Sequence, residues 1–152
     1  MIRRCAGTAD LGKLFAALKS ANGNDTVVQV FDRSAVINRM HLIGAYLDAV
    51  HAFEEKGNLA NNTAMEMLLF ASMDRQISKA IAVMGAKPGK EFVVFANSKA
   101  AFSRLSKTVG NGDDFEPSNQ EQRKAAKRYG ITQKEDLDKF VLQRMAIARI
   151  ED

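Results

Sequence analysis

The stretch Glu91-Phe-Val-Val-Phe-Ala96 constrains this chain's fold more than any other. It is too short for a helix, and it is rich in β-branched and aromatic residues. It also lacks the alternation of a strand with one wet face, so it reads as a strand buried on both sides. Such a strand needs neighbours to pair with and layers to cover it. Residues 2–9 show no helical period and read as a short strand, and Thr26-Val-Val-Gln-Val-Phe31 is β-branched and short. An edge strand is possible at residues 114–116.

Between these strands run helical patterns with recognisable ends. Asp10 caps a helix carrying Leu11, Leu14, Phe15 and Leu18 on one face. Ser34 is expected to cap a longer helix over residues 34–56, stopped by Gly57. Thr63-Ala-Met-Glu66 has the pattern of a capping box, and the helix it opens is apolar on nearly every side, the mark of a buried helix. Asp74 can cap a further helix with Ile77, Ile81 and Met84 along one stripe. Ser98 opens a helix that Gly110 stops. Ser118-Asn-Gln-Glu121 and Thr132-Gln-Lys-Glu135 read as capping boxes for two C-terminal helices separated by Gly130. Strands interleaved with helices in this way predict an α/β (α+β) fold. The expected form is a small central mixed β-sheet with helices packed on it, in a single domain over residues 1–152.

Length and composition agree. A chain of 152 residues, 46% apolar and 26% charged, can bury a core without staples. Its one cysteine, Cys5, excludes an intramolecular disulfide and a cysteine-rich zinc site, and reads as a packed core thiol. No secretory leader pattern follows the basic start, and no apolar run approaches the ~20 residues that span a bilayer. A cytoplasmic location with no membrane partner is the expectation. The net charge of +4 allows an anionic partner without requiring one.

A search for chemistry finds little. His41 and His51 are ten positions apart on one expected helix, a rotation of about 1000° that points them to different faces. They cannot form an i, i+4 metal pair. Gly85-Ala-Lys-Pro-Gly89-Lys90 is one residue short of a phosphate loop, has Glu91 where a hydroxyl is needed, and runs from helix to strand rather than the reverse. Glu54-Glu55 and Asp113-Asp114 are adjacent only in sequence and read as solvated surface. No enzyme, metal or cofactor site is therefore expected.

What remains is positive charge near helix ends. Arg75 and Lys79 are four apart and on one helix would share a face, with Lys87 and Lys90 beyond its end. A denser cluster, Arg123-Lys124 with Lys127-Arg128, reads mainly as a solvated helix surface. The C-terminal helix carries a long stripe of Leu137, Val141, Met145 and Ala148, long enough to be half core and half partner surface.

Residues 65–87, MEMLLFASMDRQISKAIAVMGAK, resemble the central segment of one KEOPS subunit. KEOPS installs threonylcarbamoyladenosine (t6A) on tRNA, and the subunit is its small kinase-binding member, the PRPK-binding protein family. The shared pattern is Glu66, Ser72, Arg75-Gln76-Ile77 and the closing Gly85-Ala86-Lys87. Residues 141–150, VLQRMAIARI, are similar to that family's last helix. The resemblance implies a non-catalytic subunit that binds and regulates the complex's atypical small protein kinase. It also implies recruitment of tRNA through the CCA 3′ tail, and an indirect link to the tRNA-modifying ATPase. By carry-over, Arg75, Gln76, Ile77, Lys79, Gly85 and Lys87 are candidates for the tail site. Val141, Leu142, Met145 and Ala148 are candidates for the kinase surface, joined by the 34–56 helix. Met73-Asp74 departs from the pattern, which often has a small or flexible residue there, and an acidic Asp74 would weaken a phosphate site. The alternative is a kinase-regulatory interaction subunit that makes no RNA contact.

Overall fold

The computed structural model describes residues 1–150. Along the chain run β1 (Ile2–Cys5), α1 (Leu11–Ala21), β2 (Val28–Asp32), α2 (Arg39–Glu54), α3 (Thr63–Ser72) and α4 (Ile77–Met84). They are followed by β3 (Phe92–Ala96), α5 (Lys99–Val109), β4 (Asp113–Asp114), α6 (Asn119–Lys127) and α7 (Leu137–Ile150). The α+β expectation holds. The chain divides into two compact units, Met1–Ser34 with Gly85–Phe115, and Ala35–Met84 with the chain from Glu116 onward. Neither unit is one contiguous segment, which is why no linker marks a boundary in the sequence.

The first unit holds the sheet, in the order β2-β3-β1-β4. β3 is buried at every position, as its unbroken apolar run requires. The sheet is wholly antiparallel rather than mixed, because β3 pairs antiparallel with both β1 and β2, and β1 with both β3 and β4. Each strand pair joined by one helix, β1 with β2 and β3 with β4, is parallel in direction but split by a strand of the other pair. That is the split βαβ, or ferredoxin-like, arrangement. Its core joins Leu14 and Leu18 of α1, Phe102 and Leu105 of α5, and Val30, Phe92, Val94 and Cys5 of the sheet. Phe15, placed on the α1 stripe by spacing, is exposed instead.

Charge sets the register at the sheet's edge. Arg3 lies opposite Asp114 and Arg4 opposite Asp113. Arg3 is ion-paired with Asp114, and Arg4 lies 3.9 Å from Asp113. Asp113-Asp114 thus forms an edge strand matched to basic β1, and both residues remain solvated surface as expected. Gly112, at φ +59°, makes the turn possible, since a Cβ there would lie 2.5 Å from the Arg4 carbonyl oxygen.

The second unit is helical. α3 is buried at eight of its ten positions and is packed by α2, α4 and α7. Several of the expected helix ends fall elsewhere. α2 is capped by Asn38, not Ser34, because the Asn38 side chain accepts from the His41 N–H at 3.0 Å. The same amide donates to Gln122 on α6 and to Asp138 on α7, so tertiary bonds choose this cap. At its other end Lys56, not Gly57, takes the left-handed position at φ 60°. The Lys56 and Gly57 N–H groups then close on the Phe53 and Ala52 carbonyls. α3 is capped by Asn62, one residue before Thr63, which frees Glu66 for other partners. The capping box at Thr132 does not form, and α7 starts at Leu137. The box at Ser118 does form.

Candidate functional site

The Arg75-Gln76-Ile77 segment lies in a tight break between two helices. Met73 adopts φ 59° after α3, and the Met73 and Asp74 N–H groups bond back to the Phe70 and Leu69 carbonyls. A left-handed methionine is strained where glycine is usual. Asp74 then turns inward: its carboxylate accepts from the Gln76 N–H at 2.9 Å, and the Gln76 carbonyl accepts from Ala80 N–H at 2.9 Å. That last bond starts α4, so Arg75 precedes the helix and does not share a helical face with Lys79. Arg75, Gln76 and Lys79 are all exposed.

The buried stripe of α4 is Ala80 and Met84. Ile77 and Ile81 are 42% and 47% exposed, so Ile77 faces solvent rather than holding the helix down. The break and the first turns of α4 therefore present cations together with two bare isoleucines.

Gly85 and Lys87 belong to the first unit. The Lys87 ammonium donates to the Gly85 carbonyl at 2.8 Å and lies 3.7 Å from the Asp32 carboxylate. Asp32 is nearly buried and also accepts from the Ser34 N–H and hydroxyl. Lys87 thus already has a counter-ion, a constraint that sequence spacing did not reveal.

The four residues on α7 separate by burial. Val141 and Met145 are core and cannot meet a partner directly. Leu142 is partly exposed and Ala148 half-buried, while Ile147 and Ile150 are exposed on the same helix and were missed. On α2, Met40 and Leu47 are exposed as well. Between them Gly44 admits α7 closely: a Cβ there would lie 2.4 Å from Leu142 Cδ2 and 3.0 Å from Met145 Cε.

α7 is tied down at its far end. Arg149 is ion-paired with Glu66, whose other oxygen accepts from the Leu59 and Ala60 N–H groups at 2.9 and 2.7 Å. The Arg149 guanidinium also sits 3.8 Å from the centre of the Phe70 ring. Burial raises the pKa of nearby Asp48, with Arg149 and His51 pulling the other way. A glutamate inside an otherwise apolar helix was the available signal that a buried cation must lie somewhere.

His41 is fully buried. Its Nδ1 accepts from the Ile37 N–H at 3.1 Å, and Nε2 lies 2.8 Å from the Ala71 carbonyl, which fixes a neutral ring with the proton on Nε2. Burial lowers its pKa to about 4, against a smaller raising effect of the Ala71 bond. Tyr129 meets the ring edge-on at 5.4 Å and donates to the Ala35 carbonyl. Cys5 is pushed up to about 11 by burial, as a core thiol should be. Among the described residues, no helix is long and apolar enough to cross a membrane.

A comparison with curated proteins finds no match. The family model described as kinase binding protein CGI-121 matches residues 10–149, which takes in β2, β3 and β4, the α3–α4 break and nearly all of α7. The chain belongs to the kinase binding protein CGI-121 family.

Proposed function

We propose that this chain is a non-catalytic adaptor of KEOPS, which binds and regulates the complex's atypical small kinase and brings in tRNA by its CCA 3′ tail for t6A modification. Family membership over residues 10–149 is the observation that carries the kinase half. The docking face is assigned to α7 and α2, through Leu142, Ala148, Ile147, Ile150, Met40 and Leu47. Val141 and Met145 contribute by holding α7 in place.

The RNA half is supported by the surface at the α3–α4 break. A single-stranded tail is held by charge on its phosphates and by unstacked bases laid on apolar or planar side chains. Arg75 and Lys79 supply charge there, Gln76 supplies an amide for base edges, and Ile77 offers apolar area. Gly85 and Lys87 are the weaker candidates implied by the resemblance, because Lys87 is partly neutralised by Asp32.

That neutralisation, and Asp74 beside Arg75, favour the second reading, a kinase-regulatory subunit without RNA contact. Arg75→Glu separates the two. With a tail clamp, the variant loses binding to intact tRNA about tenfold or more and still captures the kinase. If intact and CCA-trimmed tRNA bind the unmodified chain equally, the tail assignment is wrong.

A further inference from the structure

α6 carries an unusual stripe. Gln120, Arg123, Lys124 and Lys127 fall at i, i+3, i+4 and i+7, the spacing that on most surface helices is the apolar core face. Here the buried residues of α6 are Ala125 and Ala126 instead, and the polar stripe is exposed. It does not face open solvent on a convex surface. It forms one wall of a cleft of about 430 Å³, whose other wall is the segment from Ile131 to Lys134.

The lining is one-signed. Arg123, Lys124, Lys127 and Lys134 all open into the cleft, and among the described residues no carboxylate lines it. Like charges at i, i+4 destabilise a helix. The helix dipole accounts for cations in the last turn of α6, but not for Lys134 on the opposite wall. Concentrating these charges in a concave site raises its positive potential above that of a scattered surface.

The uncharged lining indicates which anion fits. Gln133 and Thr132 add amide and hydroxyl donors, groups that commonly contact phosphate and sugar oxygens. Ile131 is buried beneath them, so no aromatic or bare apolar side chain is offered for a base to stack on or a peptide to anchor to. We infer that the α6 cleft binds the phosphodiester backbone of nucleic acid without reading its sequence. It is a second contact, separate from the tail clamp, and does not rest on it, because a duplex with no single-stranded tail is a sufficient ligand.

The test uses the full chain and a blunt RNA duplex, with binding followed by anisotropy between about 50 and 200 mM salt. Lys124→Gln with Lys127→Gln keeps helix propensity nearly constant on an exposed face, so circular dichroism should not change. The double variant is expected to bind about tenfold more weakly at about 100 mM salt, with the log–log salt slope reduced by about two. Lys13→Gln with Lys19→Gln removes the same charge from α1 and should stay within about twofold of the unmodified chain. The blunt duplex has no single-stranded tail, so failure of the tail clamp is read separately, from intact against CCA-trimmed tRNA. Three results overturn the inference: no duplex binding by the unmodified chain, equal loss in the cleft and α1 variants, or poly-glutamate bound through the cleft as tightly as the duplex.

Discussion

His41 is the residue on which pH acts most directly. Its folded pKa of about 4 lies below the ordinary 6.5, so the unfolded chain binds the extra proton over that interval. Stability therefore rises with pH across the window: it is complete above about pH 6.5 and declines as the pH falls towards 4, by up to about 3 kcal/mol. Urea unfolding at the two ends of the window checks this, and His41→Gln should flatten the difference. An unchanged midpoint in the native chain would show that the ring is not held neutral. Spacing correctly separated His41 from His51, but not the buried role of the one from the exposed Glu55 partner of the other, 3.2 Å away. That distinction depends on Ile37, Ala71 and Tyr129, two of them far along the chain. Lys56 teaches the same lesson at a helix end: glycine is the ordinary left-handed residue, yet the left-handed position falls one residue before Gly57.

At the scale of elements, α7 is held by a glycine at one point and an ion pair at another. Arg149 is 16% exposed and Glu66 fully buried, so Arg149→Met strands a carboxylate without its counter-ion. The expected loss is about 3–5 kcal/mol in urea unfolding, and Glu66→Gln added to it should recover most of that loss. If the single variant is as stable as the native chain, the pair does not hold α7. Gly44→Leu acts at the crossing of α2 and α7. It should overpack the contact with Leu142 and Met145, lower stability by about 2 kcal/mol and reduce kinase capture, leaving blunt-duplex binding intact. Kinase capture at native strength would move the docking face off these two helices. The helices themselves were legible because period and caps are local. Which face of α4 was buried was not, since Ile77–Ile81 and Ala80–Met84 share the same spacing and only packing chooses between them.

At the scale of the whole molecule, the strands were readable one by one, and β3 above all, because an unbroken apolar run has few alternatives. Their antiparallel order was not readable, since β3 inserts between strands that are consecutive in sequence. The Arg75–Lys87 segment became a candidate site through resemblance, not spacing, and its members divide between the two units. Charge at α6 was visible in the sequence as a run, but its concavity came only from residues 131–134. The proposed function unites these surfaces in an adaptor that holds a kinase and a tRNA at once. The direct measurement is recovery of labelled tRNA on the immobilised atypical kinase, with and without this chain, using intact and CCA-trimmed tRNA. The predicted result is recovery that requires the chain and falls about tenfold or more on trimming. Recovery that is independent of the chain, or equal for the two tRNAs, would contradict it.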